Sequence, residues 1–134
     1  ISLYQGTKTV GNVESGLKPG GTLIFMLEAP EGGGPAEYFD WAKDLVAGTI
    51  ERRLREHFTV AGYIFFLNCE QAQRYNILLY SSIAPEDVAP MGIKAFSDVN
   101  ALLDAAQLEG KSIYVIPNGS TVIPHVKEAP KHEA

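Results

Sequence analysis

The sequence predicts a three-layer α/β/α domain on a mostly parallel, Rossmann-like sheet of three to four strands. Two observations carry that reading. Residues 22–27, 77–80 and 112–116 are near-continuous apolar runs of strand length, the pattern of strands buried on both faces. The stretches between them repeat their apolar residues at helical spacing, so helices cover both faces of the sheet.

Taken in order, Val10, Val13 and Leu17 recur at helical spacing and predict a first helix over about residues 5–17. Gly20 and Gly21 end that connection, and Thr22-Leu23-Ile24-Phe25-Met26-Leu27 reads as the first strand. Pro30 and Gly32-Gly33-Gly34-Pro35 form a loop. Tyr38, Trp41, Ala42 and Leu45 lie on one stripe of a second helix. Thr49 is positioned to cap a third helix, with Ile50, Leu54 and Phe58 at i, i+4 and i+8 and Glu51 and Arg55 as a favourable outer pair. Residues 61–76 are ambiguous, because Tyr63-Ile64-Phe65-Phe66-Leu67 alone has strand composition. One helix is the reading adopted, since a strand, Ile77-Leu78-Leu79-Tyr80, must follow at once. Pro85 opens a short helical turn. Lys94-Ala95-Phe96 is a candidate short strand, and Ser97 is placed to cap a helix whose stripe is Val99, Leu102, Leu103 and Ala106. Ser112-Ile113-Tyr114-Val115-Ile116 reads as a further strand closed by Pro117-Asn118-Gly119. We read residues 1–126 as one domain and 127–134 as a loose tail.

The 134 residues suffice for one domain that buries roughly two-thirds of its unfolded surface. Hydrophobic residues at 46% and charged residues at 20% mark a globular chain and exclude a disordered one. A net charge of -5 argues against a nucleic-acid or anionic-membrane surface. There is no apolar run of membrane-spanning length and no signal-peptide pattern. The single cysteine, Cys69, excludes an internal disulfide framework, and a cytoplasmic location is expected. The chain opens at Ile1 in sequence that reads as ordered, so it is expected to be part of a longer protein.

Chemistry is sought first in Tyr4-Gln5-Gly6-Thr7-Lys8. On a helix, Tyr4, Gln5 and Lys8 fall within about a quarter-turn, nearly opposite Val10, Val13 and Leu17. The triad is therefore expected to point away from the domain's core. An ammonium, an amide and a phenol on one face can bind a carboxylate through one charge and oriented hydrogen bonds. On pattern alone, a plain solvated helix face is the simpler account.

These residues resemble the Tyr-Gln-x-x-Lys motif at the start of the C-terminal domain of the lactate racemase family. The resemblance continues through Gly20-Gly21-Thr22-Leu23-Ile24, the acidic, Gly-rich turn Glu28-Ala29-Pro30-Glu31-Gly32-Gly33-Gly34, and Phe39-Asp40-Trp41, and it spans most of the chain. It implies a parent enzyme that racemises or epimerises a small 2-hydroxy acid with a nickel-pincer nucleotide. It places the cofactor attachment, the nickel ligand and the acid–base histidines in an N-terminal catalytic domain not included in this chain. Tyr4, Gln5 and Lys8 would then be substrate-binding residues, with Lys8 pairing with the carboxylate. No catalytic residue and no cofactor would belong to this domain alone, which would be inactive by itself. One departure stands out. Where the family often carries a Gly-Gly-His-Lys-type run, this chain has Ala61-Gly62-Tyr63-Ile64, which suggests a different 2-hydroxy acid.

The alternative is a non-catalytic α/β module that binds a small ligand at Gly32, Gly33 and Gly34. A Gly-rich loop between a strand and a helix is where open α/β sheets bind ligands, and it can cradle an anion. Here Glu28 and Glu31 would repel phosphate, so a structural turn is the preferred reading of the loop. The two hypotheses place the important surface differently: an open face at Lys8, or a closed pocket at the glycines. His57 reads as a surface residue, His125 as isolated and His132 as part of the tail. None has metal-ligand spacing, so no metal site is expected. Cys69 reads as an inert buried thiol, the basic cluster Arg52, Arg53 and Arg55 as a solvated helix face, and Asn118-Gly119-Ser120 as a turn.

Overall fold

A computed structural model describes residues 1–127. It shows three parallel strands in one open sheet, covered by helices. The strands are β1 (Thr22–Met26), β2 (Asn76–Tyr80) and β3 (Lys94–Phe96), in the order β1-β2-β3. Leu23 pairs with Ile77 and Leu79 with Ala95. The central strand explains its own apolar run. Ile77 and Leu79 face the larger core with Leu3, Val10, Phe65 and Val88, while Leu78 faces a smaller one with Leu102 and Ala106. Apolar residues on both sides of the pleat are what a sheet sandwiched between helices requires.

The larger core lies beneath α1 (Leu3–Gly6), α2 (Lys8–Val13), α3 (Ala42–Ala47), α4 (Ile50–Glu56), α5 (Val60–Arg74) and α6 (Pro85–Val88). The smaller core lies beneath α7 (Val99–Ala106). The ambiguous stretch after Val60 is one helix, capped by the Thr59 hydroxyl, which accepts the Gly62 N–H at 3.0 Å. Trp41 and Tyr38 are fully buried beneath it. Gly62 lets the helix settle on the indole, since a Cβ there would lie 2.4 Å from Trp41 Cζ2.

Several sequence expectations are corrected. The first helix is two short ones that begin earlier than residue 5. The Thr7 hydroxyl donates to the Tyr4 carbonyl at 3.1 Å, competing with the regular ladder at the break. The third helix ends at Glu56. Phe58 lies beyond it, 65% exposed, and Thr49 bonds Asp44 instead of capping. Asp98, not Ser97, caps α7, its carboxylate accepting the Asn100 N–H at 2.9 Å. Only Leu102 and Ala106 of that helix's stripe are buried.

The largest correction concerns residues 112–116, which form no strand. They run exposed, with Tyr114 88% accessible. Both flanks are tied elsewhere. Lys111 Nζ donates to the Ala106 carbonyl at 2.9 Å, while Asn12 Nδ2 and Ser15 Oγ donate to the carbonyls of Ser120 and Pro124. The span between these ties makes no backbone hydrogen bond to the sheet. β1 therefore remains an edge strand, which is why its residues are only half-buried and Met26 is exposed. No helix among the described residues is long and apolar enough to cross a membrane. The expected tail, with His132, lies outside the described residues except for Lys127.

Candidate functional site

The Gly-rich loop and the Tyr4-Gln5-Lys8 motif are built against each other. Two of the N–H groups that α1 leaves without helical partners donate to this loop: Leu3 N–H to the Gly32 carbonyl at 2.8 Å, and Tyr4 N–H to the Gly33 carbonyl at 3.1 Å. Ser2 and Gln5 complete a capping box at the same end. Gly34, at φ 108, packs so tightly that a Cβ would stand 2.8 Å from Ser2 Oγ and 2.9 Å from Tyr4 Cβ. A Cβ on Gly33 would strike the Phe39 ring. The loop thus turns carbonyls toward α1, whereas an anion cradle presents N–H groups.

The three motif residues do not share one environment. Tyr4 is half-buried against the core, its ring edge-on to Tyr38 with centroids 5.9 Å apart. This corrects the expectation that the whole triad points outward: docking of α1 on the glycine loop turns its first residues inward. Gln5 is exposed. Its Oε1 accepts the Ser2 N–H at 3.4 Å, and its Nε2 group has no acceptor among the described residues. Lys8 is exposed at the start of α2, and its ammonium has no carboxylate partner among the described residues.

Lys8 lines a shallow groove of about 90 Å³ with Thr7, Gly11, Ile64, Leu67, Asn68 and Gln71. The two amides sit on the inward side of α5, at 5% and 7% exposure, and belong to a directed chain of hydrogen bonds. The Tyr38 hydroxyl donates to Asn68 Oδ1 at 2.8 Å, and Asn68 Nδ2 donates to Gln71 Oε1 at 3.1 Å. Burial holds the Tyr38 phenol protonated well above its usual range, and Cys69 nearby adds to the shift. The phenol therefore remains a donor. The same burial pushes the Cys69 thiol up to about 12, which makes it a poor nucleophile.

Sequence reasoning missed Asn68 and Gln71. Two amides three residues apart on the face that also carries Phe65 and Cys69 were the available signal. Arg53, read from the sequence as part of a solvated helix face, has its guanidinium 4.3 Å above the Trp41 ring and pairs with Asp44. Glu51 and Arg55 do pair, at 4.0 Å. His57 and His125 are exposed, and no three His, Cys, Asp or Glu side chains cluster as metal ligands among the described residues.

Fold and site together define a small open α/β domain that presents a cation, unpaired among the described residues, beside a buried amide pair. No protein-family model matches the chain, and no curated protein matches its sequence.

Proposed function

We propose that this chain is the substrate-closing C-terminal domain of a nickel-pincer-dependent racemase or epimerase of 2-hydroxy acids, inactive alone. The supporting observation is the exposed Lys8 ammonium, without an acidic partner among the described residues; Gln5, three positions earlier, is also exposed. Lys8 neutralises the substrate carboxylate, and Gln5 Nε2 donates to it while Gln5 Oε1 stays in the helix cap. The Tyr4 hydroxyl is carried on a ring that Tyr38 holds edge-on, so it is oriented at little entropic cost. Lys8 and Gln5 engage the carboxylate from the exposed side, and Tyr4 borders the site from its half-buried position; positioning of this kind can supply several kcal/mol of a barrier.

This reading assigns the nickel-pincer nucleotide and the acid–base groups to an N-terminal catalytic domain, as the family resemblance implies, and routes no reactive step through this chain. The test is racemisation of D-lactate and other small 2-hydroxy acids. The isolated chain supplied with pincer cofactor should leave them unchanged, and the holoenzyme containing it should racemise one of them. Turnover by the isolated chain, or a loaded holoenzyme inert toward every such acid, would sink the reading.

A further inference from the structure

We propose that the groove between α2 and α5 is a carboxylate site in its own right, in which the Gln71 side-chain amide binds the ligand opposite Lys8. The proposal rests on the reading of Lys8 above and extends it to a residue outside the Tyr4-Gln5-Lys8 motif.

The argument starts from the direction of the buried hydrogen bonds. A buried amide without partners is costly, so a helix face that carries two of them calls for an account of every donor and acceptor. Tyr38 donates to Asn68 Oδ1, and Asn68 Nδ2 donates to Gln71 Oε1. Each link consumes one acceptor and passes a donor onward, so the chain ends on the Gln71 Nε2 group, which has no acceptor among the described residues and reaches the groove surface, Trp41 Nε1 being the fully buried side-chain donor without a partner among them. The Gln71 group faces α2 where Gly11 stands, 3.8 Å from the position a Cβ would occupy. A glycine there keeps the space open.

The groove lining then defines the ligand class. It offers one ammonium, from Lys8, and amide donors, but no carboxylate, so it suits an anion and disfavours a cation. A carboxylate can accept from Gln71 with one oxygen and pair with Lys8 through the other. Ile64 and Leu67 supply an apolar wall for a short carbon chain. A volume of about 90 Å³ limits the ligand to a few heavy atoms. A small monocarboxylate meets all four conditions.

The test is a titration of the 134-residue chain with sodium acetate and then sodium L-lactate, followed by 1H–15N correlation spectra, with sodium chloride as the control at equal ionic strength. The Gln71 side-chain NH2 pair and the Gly11 backbone amide should shift saturably with both carboxylates and not with chloride. Gln71→Met, which keeps the volume and removes the amide, should weaken binding roughly tenfold. Gly11→Leu, which fills the groove from the opposite wall and packs against Gln71 Nε2, should abolish it. An unmoved Gln71 NH2 pair, equal shifts with chloride, or undiminished binding by Gly11→Leu would overturn the proposal. The Gln5 side-chain amide separates the two ideas. Shifts at Gln5 without Gln71 remove the groove and leave the motif standing, whereas Gln71 shifts that survive Lys8→Ala remove Lys8 from the groove and overturn this proposal while leaving the motif to the holoenzyme assay.

Discussion

Replacing Tyr38 with Phe deletes one oxygen and keeps the ring. The ring's edge-on contacts with Tyr4 and Phe65, at 5.9 and 5.5 Å, should survive, so the change isolates the hydrogen bond to Asn68. That bond is 2.8 Å long between a fully buried phenol and an amide at 5% exposure. A buried acceptor left without a donor costs about 1–3 kcal/mol. Asn68 also lines an internal cavity of about 10 Å³, close to the smallest that holds a water. A water held there beside Asn68 would replace part of the bond. The expected loss is therefore in the lower part of the range, about 1–2 kcal/mol. Urea denaturation should show the midpoint falling by roughly 1 M, for a slope of about 1–3 kcal/mol per molar in a domain of this size. A Tyr38→Phe variant as stable as the parent would refute the claim that the buried Tyr38–Asn68 hydrogen bond stabilises the fold.

Other consequences can be measured on the same chain. Gly62→Ala places a Cβ 2.4 Å from the buried Trp41 ring; overpacking of about 1–3 kcal/mol outweighs the roughly 1 kcal/mol gained in helix propensity, so the urea midpoint should fall, and a rise would contradict the packing. Stability should decline in alkali. The Cys69 thiol is raised from 9.0 to about 12 in the folded state, so the unfolded chain releases its proton first, and the contribution is complete below about pH 9 and lost as pH rises toward 12. Burial of the Tyr38 phenol acts in the same direction, and Cys69→Ala should flatten the decline; an identical slope in that variant would exclude the thiol. Arg53→Ala removes the guanidinium above Trp41 and the Asp44 pair; at 44% exposure of the Arg53 side chain the loss should be about 0.5–1 kcal/mol by urea titration, and a loss above 2 would mean the pair is more shielded than its exposure indicates.

Where sequence and structure agree, the information is local or doubly constrained. β2 is legible because apolar residues face both cores, and α5 because the strand expected from Ile77, observed from Asn76, had to follow it. Residues 112–116 mislead because β-branched and aromatic composition records fitness for a sheet, not the presence of a partner strand. Here Lys111 and the Asn12–Ser120 contact hold the flanks away from any ladder. The break at Thr7 depends on one hydroxyl choosing the Tyr4 carbonyl, which helical spacing cannot reveal. The candidate site divides in the same way. Lys8 and Gln5 follow from helical position, whereas Tyr4 turns inward because of the distant loop at Gly32–Gly34, and Gln71 depends on a hydrogen-bond chain that starts 33 residues upstream at Tyr38.

The central claim, that Lys8 holds the carboxylate of a 2-hydroxy acid, is tested most directly by kcat/KM for D-lactate in the nickel-pincer holoenzyme containing this chain, with and without Lys8→Ala. A hydrogen bond to a charged group of about 1.5–3 kcal/mol predicts a fall of roughly 10- to 150-fold. An unchanged kcat/KM would contradict it.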